Sequence, residues 1–500
     1  MHSIASFRFF KATLLFISLL FSASGTLAAS SNPAEEILAP KIIAEEVAIL
    51  QEAYSRIHPG YDRYTNERVI ARAWDAINER AQQRGGLTLG QLYLDIQSVL
   101  VLIRCDHTKA EIPISLRQFR NSTPIYLPFL WEHIEQRGFV TIAADNSPFK
   151  FGDEILEIDG VPFGRLAAQV AEYIPVDGYT QWSRRSGVAQ SLEFMGGAVD
   201  HFGSLLWNIS DTVEIKIRDE QGTTRLEEAN RLTYDEYRIL LDSQRSQQNF
   251  KDAVSFERIG EKSAYLSVDT FVNYRDPVDP DTIFGPIFKA MAEEGRDKLI
   301  LDLRKNGGGS TDAERSLLSH LVDKSLRTTL DMRVATLNLD GVRQYLSSYD
   351  SRALNPNRLF FKKNRDGTYS LRRLLADELR TLRPAKTPFT GELLVLTSND
   401  NSSASTNLIA TLATHRQTTT IGEKTGGSPD GATAGIILTL TLPHSGIRTR
   451  IPVLRQYNNT AGYVSGYGIS PDIEVSTTAQ SFLEQRDDAL EKALELEIGR

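Results

Sequence analysis

The chain has 500 residues, 41% of them hydrophobic and 24% charged, with a formal net charge of −8 at pH 7, a balance ordinary for a globular protein of two to four domains. The acidic balance and the lack of any long basic block exclude an electrostatic footprint for nucleic acid. Missing zinc-type Cys/His spacings and a missing GxxxxGK[ST] loop leave no metal, cofactor or nucleotide role to expect.

Arg8 and Lys11 precede an apolar run from Leu14 to Phe21, and small residues follow through Ala28 and Ala29. That order predicts a signal peptide over residues 1–29 and an exported protein, periplasmic or secreted. An uncleaved anchor is the alternative. No cysteine stands in the small-residue region directly after the run, so a lipid anchor is not expected. No later stretch has the length of a membrane helix, so no stable membrane insertion is expected after cleavage. Cys105 is the single cysteine, so no internal disulfide can form.

Residues 30–122 read as a helical domain. Ile43, Val47, Leu50 and Tyr54 recur at one-face helical spacing until His58-Pro59-Gly60 breaks the pattern. A second helix is expected from about Glu67 to Arg84, closed by Gly85-Gly86. A third, opened by Thr88, carries Leu92, Ile96, Leu100 and Ile103.

Residues 123–237 read as short strands with turns. Ile155, Leu156 and Ile158 lead into Asp159-Gly160, with Val161 beyond, which predicts a hairpin. Val213, Ile215 and Ile217 alternate, as in a strand.

Residues 250–476 change to alternating strands and helices: a strand at Ala264–Val268, a helix at Thr282–Glu294, and a strand at Lys298–Leu303. A helix at Ala313–Val322, a strand at Leu393–Thr397 and a helix at Ser405–Thr414 follow. Pro286 is compatible with its helix only near the first turn. The apolar run Leu299–Leu301 suits a strand covered on both faces. The alternation predicts an α/β core with a partly parallel sheet. Residues 340–387 are charged and without pattern, and 477–500 suggest a C-terminal helix.

Three places could carry chemistry. Ser402-Ser403-Ala404-Ser405 follows a buried strand and opens a helix, where free N–H groups favour negative charge; a helix cap explains the same serines. Gly307-Gly308-Gly309 follows another buried strand and lets backbone approach a ligand, or simply turns the chain. His107, in Cys105-Asp106-His107-Thr108, could accept a serine proton near neutral pH.

In this order the segments resemble the carboxyl-terminal processing (tail-specific) serine peptidase superfamily. The strand and glycines at Leu301–Gly309, the nucleophile motif Ser403-Ala404-Ser405, Gly422-Glu423-Lys424-Thr425-Gly426, and Gly468-Ile469-Ser470-Pro471-Asp472 each match a family element. Residues 151–163 resemble the family's PDZ-like domain. His58-Pro59 and Asp106-His107-Thr108 resemble the branch containing tricorn and the interphotoreceptor retinoid-binding protein.

The resemblance implies a ClpP/crotonase-like α/β core with an N-terminal helical domain and an inserted PDZ-like β-rich domain. It implies Ser403 as nucleophile and His107 as base, with oxyanion donors from Gly308, Gly309 and Ala404. Substrates would be peptides or unfolded C-terminal tails. The lysine that serves as base in the tail-specific branch falls on Ser428, and Lys424 lies four residues early. The glutamate that completes the tricorn-like site falls near Ser465, which leaves Asp106, Glu423 and Asp472 as candidate orienting acids. That missing acid also motivates a rival reading, a non-catalytic relative binding peptide or apolar ligand. A third reading, Cys105 as nucleophile, is disfavoured because Cys105 and His107 alternate along the chain.

Overall fold

A computed structural model describes residues 32–190, 194–244, 249–460 and 462–498; the expected signal peptide lies outside the described residues. Helices Pro40–Ile57, Glu67–Arg84 and Leu89–Leu102 form the N-terminal layer. Gly85 takes a left-handed φ of 72° just past the second helix, the conformation glycine adopts most cheaply. Thr88 and Gln91 cap the third helix reciprocally. That helix is buried along Leu92, Ile96 and Leu100. Just beyond it Arg104 has φ 58°, and the turn it makes presents Cys105–Thr108 to the rest of the molecule.

The next unit is an antiparallel sheet with the strand order Phe129–Ile134, Arg137–Ala143, Glu154–Ile158, Thr212–Arg218, Thr224–Asn230. Asp159 and Gly160, at φ 50° and 73°, make the two-residue turn from Glu154–Ile158 to Val161–Pro162. The expectation of strands and turns alone is corrected here. Helices Phe163–Ala171, Arg184–Ala189, Ala198–Leu206 and Tyr234–Gln244 are also present. They are too short for a helical period to stand out from a buried strand's apolar run.

The core sheet runs Val254–Ile259, Ser263–Val268, Lys298–Asp302, Glu392–Thr397, Thr419–Gly422, Ile473–Glu474. Its first pairing is antiparallel and the other four are parallel. Phe284, Leu317 and Leu408, from helices Asp281–Glu293, Thr311–Leu321 and Ser403–His415, pack in one core cluster with Leu299 and Leu301. Ile300, Leu394 and Ile421 meet Ala493 of Asp488–Ile498 in another. The apolar strand is thus covered on both faces. Pro286 sits beyond the first turn of its helix, deeper than expected.

The patternless excursion builds part of a second sheet. Leu346–Ser347, Phe361–Lys363 and Tyr369–Leu371 join Thr329–Val334 and the long hairpin Thr433–Thr441/Arg448–Asn458. Ala110–Glu111, directly after the His107 turn, pairs with Arg448 and Thr449 of that hairpin, tying the helical domain to the core.

Candidate active site

The strand Glu392–Thr397 ends in a turn organised by Asn401, which is fully buried. Its side-chain amide donates to the carbonyls of Leu303 and Asn306, and its oxygen accepts from Ser398 N–H at 2.8 Å. Gly427 N–H donates to the Asn401 carbonyl at 2.8 Å. Within this clamp Ser402 is extended (φ −139°) and sits at the N-cap position of the helix Ser403–His415 without a side-chain capping bond. Ser403 itself has φ 51°, a left-handed conformation that costs a non-glycine residue about 1–2 kcal/mol. The surrounding hydrogen bonds hold that strain in place.

The glycine loop lies against this serine. Gly308 and Gly309 have φ 101° and 138°. A Cβ on Gly308 would come within 2.9 Å of Ser403 Cβ and 2.8 Å of the Ser402 carbonyl, and one on Gly309 within 2.3 Å of the Phe271 backbone. The glycines are therefore required by close approach as well as by φ. Gly308 N–H donates to Asn306 Oδ1 at 2.9 Å, so it is engaged by its own loop. Gly309 and Ala404, the other two expected oxyanion donors, have N–H groups with no hydrogen bond among the described residues.

From the other end of the chain the Arg104–Thr108 turn reaches the serines. Ser402 Oγ donates to Asp106 Oδ2 at 2.6 Å, and Asp106 Oδ1 lies 2.5 Å from His107 Nδ1. The hydrogen bond across the gap thus joins the neighbours of His107 and Ser403, which are not hydrogen-bonded to each other. Bonds of this kind tighten with substrate in many sites. Behind the turn His58 Nε2 and Thr108 Oγ1 are 2.9 Å apart, and His58 Nδ1 accepts from Gly60 N–H. Burial pushes His58 down to about 3, so it is a neutral strut. Burial also pulls the His107 pKa down, but the Asp106 carboxylate outweighs it and holds the imidazole well above its ordinary value. Burial pushes Asp106 up, and the His107 charge more than reverses that, leaving it well below the carboxylate range.

The remaining candidates lie elsewhere. Glu423 accepts two hydrogen bonds from Arg185 and one from Asn399 Nδ2. Asp472 accepts from the Thr420 N–H and hydroxyl, pinning its strand. Of the three proposed orienting acids, Asp106 alone contacts His107 among the described residues. Lys424 Nζ stacks 4.1 Å over the Trp182 ring, and the buried Cys105 thiol donates to the Thr433 carbonyl. Cys105, Asp106 and His107 bring potential metal-ligand atoms within 4.8 Å of one another. With the thiol donating to Thr433 and Asp106 bonded to Ser402 and paired with His107, this is not a free donor set.

Sequence reasoning passed over Asn306, Asn401 and Asp177. Asp177 is 4% exposed, and its Oδ2 accepts from Ser428 N–H at 3.1 Å. A buried asparagine or aspartate carries no periodic signal, and its partners are distant in the chain.

Residues 262–475 match peptidase family S41, and residues 123–239 match the PDZ domain. No curated protein sequence matches significantly. Among solved structures, mature CPAF is similar at 16% identity over 91% of this chain and 96% of that one, with a TM-score of 0.63. Mature CPAF complexed with lactacystin is similar at 15% identity over 91% and 97%, with a TM-score of 0.64. The α/β core with its PDZ insert is therefore the fold of an S41 peptidase. Residues 262–475 are thus matched to peptidase family S41, the chain is similar to the carboxyl-terminal processing serine peptidases, and it is a serine-type peptidase.

Proposed function

We propose that the protein is an exported endopeptidase cleaving peptides or unfolded C-terminal tails, with Ser403 as nucleophile and His107 as general base, in the manner of the tricorn-like branch. The observation that carries this reading is the strained Ser403 seated against Gly308 while Asp106, beside His107, bonds Ser402. His107 Nε2 takes the Ser403 proton and the alkoxide attacks the peptide carbonyl. Gly309 and Ala404 N–H groups receive the oxyanion, and His107 then protonates the leaving amine. Asp106 pairs with the Nδ1 side of the ring at 2.5 Å, and Nε2 is the nitrogen we assign to the proton transfer.

Phe129–Ile134 is an edge strand of the PDZ sheet, which supports tail capture by strand addition. The exported location rests on residues 1–29. The test is digestion of an unfolded protein by the chain lacking residues 1–29. Cleavage by the wild type and none by Ser403→Ala supports the reading; equal cleavage by the two removes it. A tail peptide that competes with its free carboxylate and not as its amide supports tail recognition.

A further inference from the structure

The place where the resemblance puts the missing glutamate, Ser465-Gly466, is packed against a loop of the PDZ domain. Tyr179 N–H donates to the Gly466 carbonyl at 2.7 Å, and a Cβ on Gly178 would meet that oxygen at 2.4 Å. The same loop grips the turn that carries His107. Gly178 N–H donates to the Arg104 carbonyl at 2.9 Å, Arg104 Nη1 returns a bond to the Gly178 carbonyl at 3.5 Å, and the guanidinium lies 4.8 Å above the Tyr179 ring. Between these contacts sits the buried Asp177. Ser428 N–H donates to its carboxylate, and the Ser428 hydroxyl accepts from Gly466 N–H at 3.0 Å.

We infer that Asp177 acts beside Asp106 as a second acid of the site, a positioning residue supplied by the PDZ domain that fixes the His107 turn and stabilises the imidazolium formed when His107 accepts the Ser403 proton. This rests on the Ser403–His107 reading above. The neighbouring acid, Asp430, is unsuited: Arg63 Nη2 pairs with it at 2.5 Å, and the Ser428 and Ser465 hydroxyls also donate to it.

The groups that face Asp177 are Asp106 and His107 from the turn, Arg63 and Tyr64 from the loop after the first helix, and the Ser428 backbone N–H. Burial first, then the Asp106 charge, push the Asp177 carboxyl up to about 7, with Arg63, the Ser428 bond and His107 pulling back. It therefore titrates in the working range. Ionised Asp177 favours the imidazolium and protonated Asp177 does not. The arrangement also makes the site depend on PDZ docking, since the acid arrives on the PDZ loop.

The test measures kcat and KM from pH 5 to 9 for wild type, Asp177→Asn, Asp177→Glu and Ser403→Ala, with thermal melting alongside. Asparagine keeps the acceptor for Ser428 and removes the charge. The expected result is a kcat at least about tenfold lower for Asp177→Asn, with KM unchanged and partial rescue by Asp177→Glu. The acid limb of log kcat should lose one ionisation, its slope falling from about two toward one. Wild-type kcat in Asp177→Asn at every pH overturns the inference, as does a lowered kcat that follows lowered melting with the limb unchanged. Those results leave the Ser403 reading standing if Ser403→Ala is inactive. An active Ser403→Ala removes both.

Discussion

Asp106 stands between the Ser402 hydroxyl, 2.6 Å from one carboxylate oxygen, and His107 Nδ1, 2.5 Å from the other. A carboxylate so placed orients the imidazole and couples the helical domain to the peptidase core, joining residues 296 positions apart. Its charge also decides when His107 can act as a base, because only the neutral imidazole accepts a proton.

With the His107 pKa held above its ordinary value, kcat/KM should rise with pH through a point above 6.5. Asp106→Asn removes the charge, lets the His107 pKa fall, and moves that rise to lower pH, with a plateau at least about tenfold lower. A pH–rate profile of both proteins checks this. The pair also contributes stability in a window. The Asp106 part is present above the unfolded carboxylate value of about 3.9 and is lost as pH falls through the depressed folded value. The His107 part is present below about 6.5 and is lost as pH rises through the raised one. Melting temperature against pH should therefore depend on Asp106 most strongly between about pH 4 and 6.5.

Asn401→Ala should destabilise the core by about 2–4 kcal/mol, because the Leu303 carbonyl and Ser398 N–H lose their buried partner. The Ser403 conformation loses its support with it, so activity should fall further than stability explains. Urea denaturation and kcat on the same preparation separate the two effects.

Much of this site was legible in the chain. The covered strand before Gly307, the serine at the head of a helix and the lone His107 each follow from local pattern, and Asp159-Gly160 announces its own turn. What local pattern could not supply is tertiary. Asp177 meets Ser428 across 251 positions, and the patternless stretch from 340 to 387 finds its order only by pairing with strands that come before and after it. Asn306 and Asn401 look like ordinary turn residues until their buried bonds are seen. The helices of the PDZ unit were hidden by their shortness.

Gly308→Ala should lower activity sharply while the protein still folds. The added methyl meets Ser403 Cβ at 2.9 Å and the Ser402 carbonyl at 2.8 Å, at a φ of 101°, so the loop or the serine must move. A kcat loss of about 100-fold or more, with circular dichroism unchanged, is the expected outcome.

The most direct test is to react the protein with a fluorophosphonate and map the adduct by mass spectrometry, comparing wild type with His107→Ala and Ser403→Ala. A single adduct on Ser403 is predicted, formed at least about 100-fold more slowly without His107 and absent without the hydroxyl. An adduct on another residue, or equal labelling rates with and without His107, would contradict the Ser403–His107 assignment.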